Sequence, residues 1–318
     1  TKIIFKNDKA IGVEFYKNKI KNTVFSNNEI ILSAGTFNSP KLLMLSGIGE
    51  EEELNKHSIE KVFISKGVGQ NLQDHHEVSV IAKTKPGYGY FGEDKGLKML
   101  KNILQYLLFK DGPAATIGCD GCTFLNPDRT SKDYSEEPSI KLYCVPKVQL
   151  DKNVKDIGQF DGITLNSVLM RPKSRGEIKL KSSDPNDMPL LNPNYLSHDD
   201  DKRLQISAFK YSREILNNKP LNEIIINEIF PGESIKTDED ILNHCKKSIK
   251  TNWHPVGTCK MGTEEDIYAV CDTNLRVKGV RGLRIFDASS FPNLVAGNTN
   301  APVIAFALKA VTELINEY

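Results

Sequence analysis

The sequence predicts a mixed α/β protein, α+β in total, in which two α/β portions enclose an insert built on an antiparallel sheet. Three observations support this fold class. Strand-like alternation over residues 3–32 leads directly into a short helical segment. Strand-like runs follow one another in the middle of the chain without helices between them, which favours antiparallel pairing. Short glycine-bounded strands and a strongly apolar helix come last.

Composition indicates a globular protein of about two domains and excludes several classes of function. Of the 318 residues, 39% are apolar and 26% are charged, which is enough apolar material for a substantial core. The formal net charge of +1 leaves no basic excess to displace counterions from phosphates, so we predict no nucleic-acid partner. No run approaches the roughly 18 apolar residues of a membrane-spanning helix.

The first portion is predicted to be a β-meander followed by two helices. Its strands are expected at 3–5, 11–15 and 29–32, with a turn at 7–8 and a polar tip over 17–22. A short helix is bounded by Ser39 as N-cap, Pro40 at the first helical position and Gly47 beyond its end. An acidic helix over 50–56 and a strand over 62–64 are expected next.

The insert is predicted to combine helices with an antiparallel sheet. Apolar residues at helical spacing indicate an amphipathic helix over 97–109. We expect its apolar side to pack against a sheet, with binding to a membrane surface as the alternative. Strands are expected at 140–145, 163–170 and 177–181, and helices at 199–217 and 238–250. The last portion should contain strands at 275–277 and 283–286 and a helix from Pro302 to about Ile315.

The six cysteines predict no metal site. Only Cys119 and Cys122 are close in sequence, and a structural zinc site normally needs a second such pair. We expect ordinary reduced thiols, with a disulfide between these two residues as the alternative. Scattered cysteines favour a reducing compartment such as the cytoplasm.

One residue suited to proton transfer is His254. It precedes a proline, so its backbone is expected to be extended with the ring projecting sideways. An imidazole titrates near neutral pH and can accept a proton from a hydroxyl group. A purely structural histidine beside Trp253 is the alternative.

Two further segments are suited to binding. Asn298 and Asn300 precede a helix, whose unpaired N–H groups and partial positive charge can hold an anion or an electron-rich ring. Simple capping of the helix by Asn300 is the alternative. Asp287 is predicted to lie at the carboxyl end of a strand, which is where ligands bind in open α/β sheets. The alternative is that it is an ordinary turn residue.

Six segments, in order along the chain, resemble motifs of the glucose–methanol–choline (GMC) flavin oxidoreductases, which include choline dehydrogenase-like enzymes. They are 35–49, 67–75, 171–176, 254–258, 287–289 and 297–302. Members of this family open with a strand, a Gly-x-Gly-x-x-Gly turn and a helix that hold the FAD pyrophosphate, and we identify no such unit here. The chain therefore looks like a fragment, roughly the C-terminal half of such an enzyme, and is expected to be inactive alone. The N-terminal half would come from the same gene or from another chain.

The resemblance implies a domain division and a set of cofactor contacts. Residues 1–75 and 251–318 would form part of a Rossmann-like FAD-binding domain, and 76–250 would form the substrate-binding domain. FAD is the implied cofactor. The residues implied to contact it are Trp253, Asp287, Ala288, Asn300, Ala301, Pro302 and Val303.

The resemblance also implies a reaction on a small-molecule alcohol. In the family, the carbinol carbon gives a hydride to flavin N5 while a base takes the hydroxyl proton. His254 matches that base, and Asn298 matches a second active-site position that can orient the substrate oxygen but cannot titrate. Oxygen or a quinone would then accept the electrons. Two alternatives stay open: a hydroxynitrile lyase on the same fold, and a redox-inactive structural or assembly protein on a truncated fold.

Overall fold

The computed structural model describes residues 1–119, 121–127, 137–149 and 160–317. It divides into two compact units. The first unit contains Thr1–Asp74, Ser174–Tyr195 and the chain from Trp253 onwards, and the second contains His75–Lys173 and Leu196–Asn252. The predicted domains follow similar borders, except that 174–195 groups with the first unit. Which unit binds the cofactor and which binds the substrate stays a prediction.

The described residues form six α-helices and fifteen strands. The helices are α1 (Gly35–Leu45), α2 (Glu51–Lys56), α3 (Gly96–Phe109), α4 (Asp199–Asn217), α5 (Asp238–Ser248) and α6 (Asn300–Glu317). The strands are β1 (Lys2–Lys6), β2 (Lys9–Lys17), β3 (Ile20–Phe25), β4 (Ile30–Leu32), β5 (Ile48–Gly49), β6 (Phe63–Ile64), β7 (His76–Thr84), β8 (Gly121–Leu125), β9 (Ile140–Val145), β10 (Gly162–Leu169), β11 (Glu177–Lys179), β12 (Leu190–Asn192), β13 (Ile225–Phe230), β14 (Lys250–Thr251) and β15 (Leu283–Ile285). The predicted α/β class with an antiparallel sheet is confirmed.

The meander at the start of the first unit differs from the prediction. Its three antiparallel strands are β1, β2 and β3. The predicted polar tip is in fact a tight turn at Asn18 and Lys19, both with positive φ, and the chain returns to extended structure at Ile20. The run at 29–32 leaves the meander, because β4 pairs in parallel with β15 instead. Parallel pairing buries Leu32 and Ile285 in the core of the unit.

Helix α1 begins five residues earlier than predicted, so Ser39 is not its N-cap and Pro40 lies inside it. Proline has no N–H to donate to the carbonyl four residues before it. Here that carbonyl, on Thr36, accepts a hydrogen bond from the Thr258 hydroxyl at 2.6 Å. The replacement donor explains why an internal proline is tolerated, and sequence spacing alone does not reveal it.

Two other predicted strands also change. The run at 177–181 does not join the insert's sheet, because β11 pairs with β12 in a two-stranded ladder of the first unit. Ile178 N donates to Gly69 O at 2.6 Å, and its side chain is buried in the core of that unit. The run at 275–277 forms only isolated bridges, since Leu275 has a positive φ that interrupts an extended chain.

The second unit is a six-stranded antiparallel sheet with helices α4 and α5 packed on it. The strand order is β13–β7–β10–β9–β8, and β14 pairs with the first two residues of β7, His76 and Glu77. Side chains from the sheet, such as Val80 and Leu165, share a buried cluster with Phe209 of α4 and Ile241 of α5. Both helices begin where the sequence predicted, and Thr237 and Asp240 form the capping box of α5.

Helix α3 forms as predicted, but it does not pack on the sheet. Its one buried residue is the polar Asn102, and its leucines are exposed to solvent. The expected packing role is therefore wrong for this helix. Within the described ranges, no helix combines the length and the hydropathy that crossing a bilayer requires.

Candidate active site

The predicted base, His254, lies in the first unit, where its backbone is fixed by a carboxylate. The Asp74 side chain accepts a hydrogen bond from His254 N at 2.9 Å through one oxygen. The other oxygen accepts one from the Tyr195 hydroxyl at 2.6 Å. His254 is half-buried, and Trp253 before it is 82% exposed with a positive φ. The Asp74 carboxylate therefore connects the histidine segment, residues 254–258, to Tyr195 of the same unit.

The backbone after His254 is held on both sides. Val256 and Gln73 exchange two backbone hydrogen bonds, at 2.8 and 3.0 Å. On the other side, Gly257 N donates to Ala288 O at 3.0 Å and Cys259 N donates to Ser289 O at 2.7 Å. The predicted histidine segment and the predicted aspartate segment are therefore direct neighbours.

Gly257 makes this close arrangement possible. Its φ is +93°, and a Cβ atom there would lie 2.8 Å from Asn71 O. The Asn71 side chain donates to Gly257 O at 3.0 Å and accepts from Arg175 Nε at 3.1 Å. Asn71 thus helps to hold the backbone of the histidine segment in place.

Asp287 lies two residues after the end of β15, at the carboxyl end of a parallel strand, as predicted. Its carboxylate is 6% exposed and accepts three hydrogen bonds within the protein. The donors are Ser39 Oγ at 2.6 Å, Ser289 N at 2.7 Å and Gly35 N at 3.0 Å. The carboxylate therefore organises the start of α1 and the turn at 288–290.

Helix α6 begins at Asn300, two residues before the predicted start at Pro302. Asn300 is thus the first helical residue, and Val303 N donates to the Thr299 carbonyl at 2.9 Å. No acidic side chain occupies the first turn, so the partial positive charge of the helix end is not neutralised there. Asn298, Asn300 and Ala301 are exposed, while Pro302 and Val303 are half-buried.

One apolar cluster brings these three segments together. Val256, Phe291 and Leu294 are its buried members, and Ala288, Val303 and Phe306 pack against them. Val256 lies two residues after His254, Ala288 directly follows Asp287, and Val303 lies five residues after Asn298. The segments carrying all nine predicted site residues are thus joined in the first unit.

This site offers backbone donors, carboxamides and an uncompensated helix N-terminus, the groups that an electron-rich ring with carbonyl oxygens requires. A Cβ at Gly35 or Gly297 would meet no atom within 4 Å, so there is open space beside both segments. These features fit a flavin. The nearby Cys259 is fully buried, and burial raises the pKa of its thiol well above the usual range, which keeps it protonated and unsuited to nucleophilic chemistry.

Sequence reasoning missed the supporting residues. Asp74, Tyr195, Thr36 and Thr258 have no role in the predicted site, although all but Tyr195 lie within segments that resemble the family. A buried carboxylate can be recognised as a support only when its donors are known. Those donors lie more than a hundred residues away in sequence.

A glycine spacing at 87–92 was also overlooked. Gly87, Gly89 and Gly92 have the Gly-x-Gly-x-x-Gly spacing, and they lie between β7 and α3. However, all three neighbours of β7 are antiparallel to it, and α3 begins only at Gly96. A dinucleotide-binding turn requires a parallel βαβ unit with the helix starting at the turn. The segment is therefore not a pyrophosphate-binding turn.

Comparison with known proteins gives the family. Two family models, both described as GMC oxidoreductase, match residues 1–77 and 172–307. The chain is 37% identical over 314 residues to an oxygen-dependent choline dehydrogenase of Brucella anthropi, covering 99% of this chain and 56% of that protein. It is 35% identical over 325 residues to an alcohol dehydrogenase [acceptor] of Pseudomonas putida, covering 100% of this chain and 57% of that protein.

Solved structures of known proteins are also similar to this chain in fold. A crystal structure of formate oxidase superposes with a TM-score of 0.88 at 26% identity, covering 100% of this chain and 59% of that chain. A second formate oxidase structure, from Aspergillus oryzae and concerned with FAD modification, superposes with a TM-score of 0.87.

The chain belongs to the GMC oxidoreductase family. The predicted family and its FAD cofactor are both confirmed. The chain spans little more than half the length of the relatives it matches, 56% of the Brucella protein.

Proposed function

We propose that this chain is part of an FAD-dependent oxidoreductase that acts on the CH–OH group of a primary or secondary alcohol. The observation that carries the proposal is the apolar cluster in which Val256, Ala288 and Val303 meet, because it joins the segments of His254, Asp287 and Asn298 in one unit. The relatives named choline dehydrogenase and alcohol dehydrogenase support an alcohol as the substrate class.

In this proposal His254 takes the hydroxyl proton of the substrate. Its backbone is anchored to the Asp74 carboxylate, so the ring is presented from a fixed point of the chain. Asn298 has a carboxamide that can donate to the substrate oxygen without titrating. General-base assistance of this kind typically contributes about 10²–10⁴ in rate. Bound FAD would supply the hydride acceptor.

The cofactor-binding residues are proposed to act mainly through their backbone groups and through the dipole of helix α6. Asn300, Ala301, Pro302 and Val303 form the first turn of α6, whose positive end stabilises negative charge on an adjacent ring. Asp287 would act through its backbone and through Ala288, since its carboxylate is already bonded within the protein. Trp253 is exposed enough to cover a ring face.

The test is His254→Ala in the complete FAD-loaded protein. We expect the rate of flavin reduction by an alcohol, measured by anaerobic stopped-flow absorbance, to fall by at least about 10² because the base is lost. His198→Ala is the matched control, since His198 caps α4 in the second unit and should leave that rate unchanged.

Unchanged flavin reduction in His254→Ala would refute the role of His254. The same anaerobic measurement on the unmodified protein also separates the alternative functions. Neither a lyase nor a redox-inactive protein would bleach its flavin with an alcohol. Oxygen uptake compared with reduction of a quinone then identifies the electron acceptor.

A further inference from the structure

Gln73 of the first unit is a buried glutamine, 2% exposed, beside the segment that carries His254. Its backbone pairs with that of Val256, two residues after His254, through two hydrogen bonds at 2.8 and 3.0 Å. The carboxylate of the next residue, Asp74, accepts from His254 N at 2.9 Å. Residues 73 and 74 are therefore bonded to the histidine segment at two points.

The side chain of Gln73 reaches a different segment, the one that leads to Asn298. Its Nε2 donates to the Pro292 carbonyl at 3.1 Å, and its Oε1 accepts from Leu294 N at 3.1 Å. One carboxamide thus bonds both a carbonyl and an N–H of the same segment, as the peptide groups of a neighbouring strand would.

The segment at 291–299 needs a support of this kind. It runs in irregular conformation from the turn at 288–290 to the start of α6. Neither a sheet nor a helix bonds the backbone groups of such a segment, so side chains or water must do so. Leu294 is buried, and water is therefore a poor substitute for Gln73 as the acceptor of its N–H.

Gly257 leaves room for the Gln73 carboxamide. A Cβ atom on Gly257 would lie only 3.0 Å from Gln73 Nε2. The Asn71 amide donates to Gly257 O at 3.0 Å and to the Pro292 carbonyl at 3.4 Å. Two carboxamides of the 71–74 segment therefore lie between the histidine segment and residues 292–294.

We propose that Gln73 is a positioning residue that sets the spacing between His254 and Asn298. This inference rests on the proposed function, in which His254 takes the hydroxyl proton and Asn298 bonds the same oxygen. Two groups that act on one oxygen must be held to within roughly 0.5 Å of their productive positions. Gln73 can do this because its backbone is bonded to one segment and its side chain to the other.

The first test uses the complete, unmodified protein and needs no substrate. Amide hydrogen exchange should be slow at Leu294 N–H, although this group lies in irregular structure, because Gln73 accepts its hydrogen bond. The N–H of Asn293, an exposed neighbour in the same segment, is the comparison and should exchange faster.

The second test is Gln73→Met, which keeps the length of the side chain and removes both of its bonds to 292–294. We expect Leu294 N–H to exchange at least about tenfold faster. The rate of flavin reduction by an alcohol should fall by about tenfold or more, because Asn298 is displaced. Gln205→Met is the matched control, since Gln205 is a fully buried glutamine of α4 in the second unit and should leave both readouts unchanged. Thermal unfolding checks that each variant is folded.

A double-mutant cycle with Asn298→Ala shows whether Gln73 acts through that residue. When Asn298 is already alanine, Gln73→Met should lower the reduction rate by less than about twofold. The pH dependence of the rate reports the base, and its midpoint should be the same in Gln73→Met, because backbone bonds hold the histidine segment.

Three results would overturn the proposal: exchange at Leu294 as fast as at Asn293 in the unmodified protein, a full reduction rate in the folded Gln73→Met variant, or an equal fold-loss with and without Asn298. Failure of the proposed function gives a different pattern. The flavin of the unmodified protein would then not be reduced by an alcohol, or His254→Ala would not slow the reduction, while Leu294 N–H would still be protected.

Discussion

The Thr36 carbonyl shows how one hydrogen bond supports the site. Pro40 removes its helical donor, and the Thr258 hydroxyl replaces that donor at 2.6 Å. The Thr36 hydroxyl in turn donates to the Pro255 carbonyl at 2.7 Å. Thr36 and Thr258 are both buried, so neither group can turn to water for a partner. These two bonds tie the start of α1 to the residues on either side of Val256.

We predict that Thr258→Val lowers the free energy of unfolding by about 1–3 kcal/mol, because it leaves a buried carbonyl without a donor. The loss should be smaller when Pro40→Ala is also present, since alanine restores a backbone N–H to that carbonyl. Denaturant unfolding of the four proteins of this double-mutant cycle measures the coupling.

The control for this cycle is Thr312→Val on α6. The Thr312 hydroxyl also donates to a helix carbonyl, at 2.9 Å, but it is exposed and that carbonyl keeps its own helical donor. Its loss should cost about 0.5 kcal/mol or less. A purely additive cycle at Pro40 and Thr258 would show that the threonine does not replace the missing donor.

At the scale of elements, His244 joins α5 to α4 and β13. Its ring lies 5.0 Å from that of Phe230 and 5.8 Å from that of Phe209. Burial lowers the pKa of His244 to about 4, and the positive charges of Arg213 and Lys247 lower it further in the same direction. The ring is therefore neutral in the folded protein at neutral pH.

A pKa of about 4 in the folded state lies below the unfolded value of 6.5. The neutral ring therefore makes its full contribution to the free energy of unfolding above about pH 6.5. That contribution is lost as the pH falls towards 4, because the unfolded state binds a proton that the folded state does not. We predict a loss of about 1–2 kcal/mol over that range, after allowing for partial exposure of the ring. His244→Phe keeps the aromatic contacts and should flatten the curve. Parallel stability curves for the two proteins, from denaturant unfolding at each pH, would contradict this.

At the scale of the whole molecule, the proposed flavin site uses segments of the first unit alone. The first turn of α6 and the turn at 288–290 are assembled in the first unit. The glycine spacing at 87–92 lies in an antiparallel context that cannot serve the pyrophosphate. FAD binding draws much of its strength from a helix N-terminus at the pyrophosphate, and the resemblance to the family implies that this unit lies outside residues 1–318, so we expect these residues to supply only part of the FAD contacts.

We therefore predict that residues 1–318, purified alone, retain FAD weakly. The ratio of flavin to protein after gel filtration, from visible absorption, should be far below one. The complete protein, purified in the same way, is the control and should stay yellow. A stoichiometric yellow complex of residues 1–318 would show that these segments suffice.

The sequence alone determined the features that depend on near neighbours. The hydrophobic periodicity and caps of α4 and α5 lie within a few residues of each element, so their starts were predicted correctly. The family motifs are likewise short and local. Their order along the chain placed His254, Asp287 and Asn298 in one predicted site.

Only the tertiary structure decided which distant groups meet. The partner of β4, the donors to Asp287 and the support of His254 by Asp74 join residues that are far apart in sequence. The orientation of α3 was decided in the same way, because Asn102 and Glu93 anchor its polar side and leave the leucines outside. Periodicity shows that a helix has an apolar side, but which side the protein buries depends on contacts that form only when the chain folds.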